Sequence, residues 1–357
     1  MNSTDQHISN IADAITEWLQ PDNFTLREAI DNTVNGGYFG FEDVKHRILT
    51  LKSTLKKGDL HTWAQRSGLR LNSLENKKIL CLHAGNLPLV GIHDLLAVVM
   101  TGGTYIGKLS RKDPYLLPSL INKLELHKLI ENAQWAGRLD KLAGGSPADA
   151  LLFSGSGKSV KNVEDRLSEL MLISGSTPKL IRTANFSIAF ITDNNPETMQ
   201  DLTEAVFRYG GSGCRSVAIV VAPFHLNSEK CSFTDYIESF WLNNPQFNKP
   251  PKSLEYRYAY NHAMKIPQAW LQDFLIEENL DIPQEKYILH WVKGDFNTLE
   301  NVVSRFGNGL QSVYSTSGFI GKKAGPYIIE PLSQAQSPPI WWKPDQTDTI
   351  TWLQNEL

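Results

Sequence analysis

The sequence of 357 residues predicts an α/β fold with parallel, doubly wound sheets behind a helical N-terminal segment. Three observations carry this expectation. Apolar residues recur at helical spacing through residues 1–75, as one face of an amphipathic helix requires. From residue 76 onward, short apolar segments bounded by Gly, Asn or Pro alternate with longer helical patterns, the signature of strand–helix–strand units. The composition, 41% hydrophobic and 20% charged, suffices to bury cores and is too apolar for a disordered chain.

Taken in order, Ile8, Ile11, Ile15, Trp18 and Leu19 mark a first helix, and residues 44–55 a second, with Pro21 and Gly36-Gly37 as punctuation. Strands are expected at 78–83, 104–109, 150–153, 187–192, 216–221 and 287–292. Helices are expected between them at 91–100, 114–135, 159–172 and 197–209. Residues 225–285, rich in aromatics and Pro, predict irregular structure with a helix or two. The aromatic residues of 235–295 read as core, with an acyl tunnel as the rival reading. The tail, Pro338-Pro339-Ile340-Trp341-Trp342, is expected to be extended and too apolar for a free linker. The division expected is 1–184, 185–322 and a tail, 323–357, that packs back on both.

Charge and cysteine usage exclude several functions. Thirty-five Lys plus Arg against 38 Asp plus Glu leaves a net charge of −3, with no field to attract nucleic acid or an anionic membrane. The apolar runs fall short of the roughly 18 residues a spanning helix needs. The first residues lack a signal peptide's basic start and apolar stretch, so the cytoplasm is expected. Three cysteines, Cys81, Cys214 and Cys231, form neither a CxxC pair nor a disulfide framework, and no HExxH or spaced Cys/His set suggests a metal.

Three segments carry chemistry. Phe153-Ser154-Gly155-Ser156-Gly157-Lys158-Ser159 ends like a nucleotide-binding P-loop, but the glycine that motif needs earlier is Leu152. What remains is a buried strand entering a helix through small residues, which lets an anion approach the helix N-terminus. Tyr209-Gly210-Gly211-Ser212-Gly213-Cys214-Arg215 surrounds one thiol with small residues. Such a setting leaves a nucleophile open to approach, and Arg215 is placed to favour its thiolate. In His83-Ala84-Gly85-Asn86-Leu87-Pro88, the Asn86 carboxamide is suited to donate to a developing oxyanion.

Together and in this order, these segments resemble the aldehyde dehydrogenase superfamily, and within it the acyl-CoA reductases of the LuxC type. The most specific part is Gly85-Asn86-Leu87-Pro88-Leu89-Val90-Gly91 followed by Gly107-Lys108-Leu109-Ser110-Arg111-Lys112-Asp113-Pro114. These are similar to the family's Asn-containing turn and its Lys-x-Ser cofactor strand. The resemblance implies two Rossmann-like doubly wound domains. It makes Cys214 the acylated nucleophile, with Asn86 and the Cys214 backbone N–H holding the oxyanion. It gives the cofactor to Lys108, Ser110, Arg111, Gly155 and Ser156. Arg111, where many NAD-using relatives carry an acidic residue, favours NADPH. No carboxylate occurs in Lys179-Leu180-Ile181-Arg182-Thr183-Ala184-Asn185, where hydrolytic members carry a water-activating Glu. The implied activity is therefore NADPH-dependent reduction of an acyl thioester, CoA- or carrier-bound, to an aldehyde. The rival is a non-catalytic or acyl-transferring subunit of a fatty-acid or secondary-metabolite complex. An acyl-transferring partner enzyme and a homo-oligomer also fit the resemblance. The general acid stays open among His225, His262 and His290. The family's Glu-x-Phe-Gly-Pro motif, expected near 281–286, is not recognisable.

Overall fold

Four helices open the chain in the computed structural model, which describes residues 3–226, 233–244, 252–271, 274–283, 287–316 and 318–357. They are α1 (Ser3–Trp18), α2 (Phe24–Asn35), α3 (Phe41–Thr54) and α4 (Lys57–Ser67). The Ile8, Ile11, Ile15 and Trp18 side chains of α1 are fully or almost fully buried, confirming the sequence periodicity. Asn23 caps α2 by accepting from the Leu26 N–H, one of the donors a helix start leaves unsatisfied.

The first sheet follows, with β1 (Lys78–Leu82), α5 (Ile92–Thr101), β2 (Thr104–Lys108), α6 (Leu116–Leu126), β3 (Gln134–Ala136), β4 (Ala150–Ser154), α7 (Val160–Glu169) and β5 (Lys179–Arg182). Its strand order is β3-β2-β1-β4-β5 and every pairing is parallel. Alternation decides which face each side chain serves. Ile79, Cys81, Tyr105, Ala150 and Leu152 join the core shared with α1, α5 and α6. Leu80, Leu82, Ile106, Leu151 and Phe153 join the core with Leu167 of α7. Burial on both faces is why these strands read as continuous apolar runs.

The helix expected over 114–135 is shorter. It stops at Leu126, Lys128 and Asn132 turn the chain with positive φ, and Gln134–Ala136 becomes an edge strand beside β2. Three residues with an exposed Gln134 carry too little alternation to announce a strand.

The second sheet contains β6 (Phe186–Phe190), α8 (Pro196–Phe207), β7 (Val217–Ala222), α9 (Phe233–Asn243), α10 (Ser253–Ala263), β8 (Gln268–Leu271), β9 (Phe274–Glu278), β10 (Ile288–Lys293), α11 (Phe296–Phe306) and β11 (Leu310–Ser315). A small ribbon, β12 (Lys323–Ala324) with β13 (Tyr327–Ile328), precedes β14 (Glu330–Pro331). The order is β14-β11-β6-β7-β10-β9-β8, parallel except for β8 against β9. The aromatic residues of this region pack on one another, with Phe207 4.4 Å from Phe274 and Phe233 6.2 Å from Trp291 between ring centroids. They are core. The described part of 225–285 is more regular than expected, holding α9, α10 and a β8–β9 hairpin.

The chain separates into two units, 1–183 with 339–357, and 184–338. Within the tail, 323–338 belongs to the second unit and 339–357 to the first. The tail ends in a helix that sequence reading missed, α12 (Thr349–Glu356), capped by Asp348, which also accepts from the Trp63 indole N–H at 3.0 Å.

Candidate functional site

Parallel pairing places the ends of β1, β2 and β4 side by side, since Leu82 lies in register with both Lys108 and Phe153. The strand order reverses between β1 and β4, and ligands of open α/β sheets bind outside the carboxyl ends at such a switch point. Five of the predicted residues of the first unit leave these ends directly. Asn86 follows β1, Lys108 closes β2 with Ser110 just beyond, and Gly155 and Ser156 follow β4. Arg111 is exposed in the same segment as Ser110. The His83 N–H donates to the Lys108 carbonyl at 3.2 Å and the Gly155 N–H to the Arg182 carbonyl at 3.1 Å, so these turns continue the sheet's own ladder.

The turn after β4 holds no P-loop. Ser156 Oγ accepts from the Lys158 N–H at 3.3 Å and the Ser159 hydroxyl donates to the Ser156 carbonyl at 2.7 Å, leaving Lys158 exposed at the entrance to α7. Lys108 is partly buried, and burial lowers its pKa. With Lys108, Arg111, Lys112 and Lys158 around hydroxyls and a helix start, the donor set fits a phosphorylated dinucleotide. A separate cleft of about 580 Å³, lined among others by Lys78, Thr104 and Gln134, lies at the amino ends of β1–β3.

The turn that carries Asn86 is held by its neighbours. A Cβ added to Gly85 would stand 1.8 Å from the Ser110 hydroxyl oxygen and 2.6 Å from its Cβ. Glycine is needed there because the two turns touch. Gly85→Ala is expected to cost about 1 to 3 kcal/mol, the usual range for overpacking. Adding Ser110→Gly removes both obstructing atoms and restores most of the loss. Urea unfolding of the single and double variants checks this, and an alanine costing under about 0.5 kcal/mol refutes the contact.

Beneath these turns lies a buried polar group that the sequence did not announce. Arg182 donates to Asp94 at 2.6 Å and to the Thr349 hydroxyl at 2.6 Å, joining β5, the first turn of α5 and α12. Burial by itself raises the Asp94 carboxyl, but the Arg182 charge, the His93 hydrogen bond and His83 hold it well below the usual carboxylate range. His83 meets the Tyr105 hydroxyl at 2.7 Å, and burial lowers its pKa to about 4, so it is neutral. His83 is therefore a neutral core residue, paired through one ring nitrogen to Tyr105 while its Nδ1 has no hydrogen-bond partner among the described residues.

In the second unit, Cys214 is half-buried on the loop between α8 and β7 and is in no disulfide. Three successive residues, Tyr209, Gly210 and Gly211, have φ of 58°, 63° and 65°. The glycines make this left-handed run affordable, whereas Tyr209 adopts it with a buried ring. The loop is then pinned on the far side. The Ser187 hydroxyl donates to the Cys214 carbonyl at 3.0 Å, and the Ser216 N–H donates to the Gly213 carbonyl at 2.9 Å. Arg215, expected beside the thiolate, commits its guanidinium to the Ala335 and Gln334 carbonyls and to Glu330, and lies over the Tyr314 ring. It anchors the backbone next to Cys214. Cys81 is fully buried, and Cys231 lies outside the described residues.

Of the three histidines left open, His290 is buried and bound to Glu277 at 3.0 Å, within a group completed by Arg257, Asn261 and Asn279. His225 lies exposed against Glu278 and Lys293, and His262 lies in the last turn of α10 beside the Tyr258 ring. The expected motif at 281–286 falls partly outside the described residues. Among the described residues there is no cluster of three metal-ligating side chains, and no helix is long and apolar enough to cross a membrane.

No protein-family profile matches this sequence, and no curated protein does so. Solved structures do match. Aldehyde dehydrogenase 21 from Physcomitrella patens, in complex with succinate, superposes with a TM-score of 0.64 at 13% identity, covering 99% of this chain and 84% of that one. Glyceraldehyde-3-phosphate dehydrogenase GapN from Methanocaldococcus jannaschii, complexed with NADP, gives 0.58 at 14% identity over 90% and 78% of the two chains. Succinic semialdehyde dehydrogenase from Streptococcus pyogenes, with NADP+, gives 0.59 at 10% identity over 89% and 78%. With its parallel sheets in this order, the chain has the aldehyde dehydrogenase fold.

Proposed function

We propose that this protein is an NADPH-dependent oxidoreductase of the aldehyde dehydrogenase type that reduces an acyl thioester to an aldehyde through a thioester on Cys214. The observation that carries the reading is the setting of Cys214. It is a partly exposed thiol on a strained, glycine-rich loop, fixed on its far side by Ser187, Ser216 and Arg215. Backbone strain stored beside one reactive group is characteristic of functional sites.

In this reading the Cys214 thiolate attacks the acyl carbonyl carbon and forms a C–S bond. Asn86 and the Cys214 N–H donate to the oxyanion, which then collapses, breaking the donor's own C–S bond and releasing its thiolate. Lys108, Ser110, Arg111, Gly155 and Ser156 would hold NADPH, which when bound would supply the hydride that reduces the acyl carbon. Asn86 serves the second oxyanion in the same way, and collapse of the Cys214 thiohemiacetal releases aldehyde and restores the thiolate. The stretch 179–185 supports reduction over hydrolysis, because it offers no carboxylate and its Arg182 is engaged with Asp94.

A panel of acyl-CoAs of increasing chain length, followed by NADPH absorbance, tests the reading. Oxidation of NADPH with stoichiometric aldehyde is expected, with NADPH preferred over NADH. Arg111→Ala is expected to reduce that preference by about tenfold, because its cation suits a 2′-phosphate. Failure with every acyl-CoA and with an acyl-carrier protein overturns the proposal. It would favour the non-catalytic subunit.

A further inference from the structure

Leu89, three residues after Asn86, is fully buried yet has φ of 57°, a conformation a branched apolar residue adopts only when its surroundings impose it. The group that imposes it is Asp113. Its carboxylate accepts the Leu89 N–H at 2.7 Å. The backbone N–H of Leu116, at the start of α6, also faces this carboxylate, so the turn and the helix lie against one acidic group. Asp113 stands three residues beyond Ser110, whose hydroxyl meets Gly85 on the other side of Asn86. The Asn86 turn is thus fastened at both ends to the segment that leaves β2. Arg47 of α3 faces the carboxylate and brings a guanidinium nitrogen within 3.5 Å of the Leu89 carbonyl. On Asp113's own segment the charged neighbours are the exposed Arg111 and Lys112.

Such a carboxylate is a poor choice for stability. Asp113 is buried, and its second oxygen, Oδ1, has no hydrogen-bond partner. Burial pushes its pKa up to about 6, against the pull of the Leu89 and Leu116 N–H groups and of Arg47. A group whose pKa rises on folding favours the unfolded state at pH above that value, and the penalty disappears at pH below its ordinary value of 3.8.

We propose that Asp113 is a positioning residue for the oxyanion turn: its carboxylate holds Leu89 in the left-handed conformation and thereby sets where Asn86 presents its carboxamide. The proposal rests on the assignment of Asn86 to the oxyanion. Ionised, Asp113 grips the turn through charge-assisted hydrogen bonds; protonated, it grips less, since such bonds are roughly twice as strong as neutral ones. Activity therefore falls as pH drops through about 6.

Asp113→Asn keeps an oxygen for the Leu89 N–H and removes the charge. At pH 7.5 the variant is expected to lose about five- to tenfold in kcat with KM unchanged, because Asn86 acts only in the transition state. Its pH profile lacks the acid limb near 6. Its Tm at pH 7.5 rises above that of the parent protein, and the gain vanishes near pH 4. Hydrogen exchange over residues 84–91 is faster in the variant at pH 7.5. In the parent, after correction for intrinsic rates, it quickens as pH falls through 6. Equal exchange and an equal pH profile in the two proteins overturn the proposal. A parent protein that turns over no acyl thioester overturns the assignment of Asn86 instead, and the exchange measurement then still decides whether Asp113 holds the turn.

Discussion

Cys214→Ala is expected to lower acyl-CoA-dependent NADPH oxidation by about a thousandfold or more, the scale of loss when a covalent nucleophile is removed. Mass spectrometry of the parent protein, quenched after mixing with acyl-CoA alone, should find one acyl group on the peptide containing Cys214. The variant should carry none. The fold should be unaffected, because the loop is held by groups other than the thiol: the Ser187 hydroxyl binds the Cys214 carbonyl and Arg215 binds the Ala335 and Gln334 carbonyls. An alanine variant within tenfold of the parent rate, or acyl label recovered on Cys81, would remove Cys214 from the chemistry.

Asp94→Asn is expected to destabilise the first unit by about 3 to 5 kcal/mol, since it leaves the Arg182 guanidinium buried without its counter-ion. Both side chains are only 5% exposed, so water cannot substitute. Replacing both partners together, as Asp94→Leu with Arg182→Met, should recover most of that loss, because two apolar side chains leave no charge to desolvate. The Asp94 carboxylate has its pKa depressed on folding, so its contribution is complete above the ordinary carboxylate range and is lost only as pH falls below it. Urea titrations at pH 7 of the two variants give the answer. A single variant within about 1 kcal/mol of the parent would mean that the pair contributes little.

The two predictions separate chemistry from scaffold, and they differ in how legible their residues were. Cys214 stood out because a thiol among Gly210, Gly211 and Gly213 contrasts with the Val, Leu and Ile that surround a structural cysteine. Asn86 and Ser156 drew attention because each follows an apolar run at a turn, whereas the cofactor role of Lys108 came only with the family resemblance. Arg182 and Asp94 were invisible. Arg182 ends β5, a strand not expected from the sequence, Asp94 lies in the first turn of α5, and 88 residues separate them. Asp113 carried no role in the sequence beyond its place in the segment 107–114, and its partner, the Leu89 N–H, became visible only in the fold.

From its sequence alone this protein was determined to be a two-sheet α/β chain behind a helical segment, because strand and helix periodicities are local and survive without neighbours. The proposed nucleophile, Cys214, stood out for the same reason, being flanked by adjacent small residues. Only the tertiary structure decided that β3 and α12 exist, that Arg215 anchors backbone, and that buried charges gather beneath the Asn86 turn. Those features depend on which distant groups meet in a medium of low dielectric, where an unpaired charge is costly and a paired one holds the turn in place.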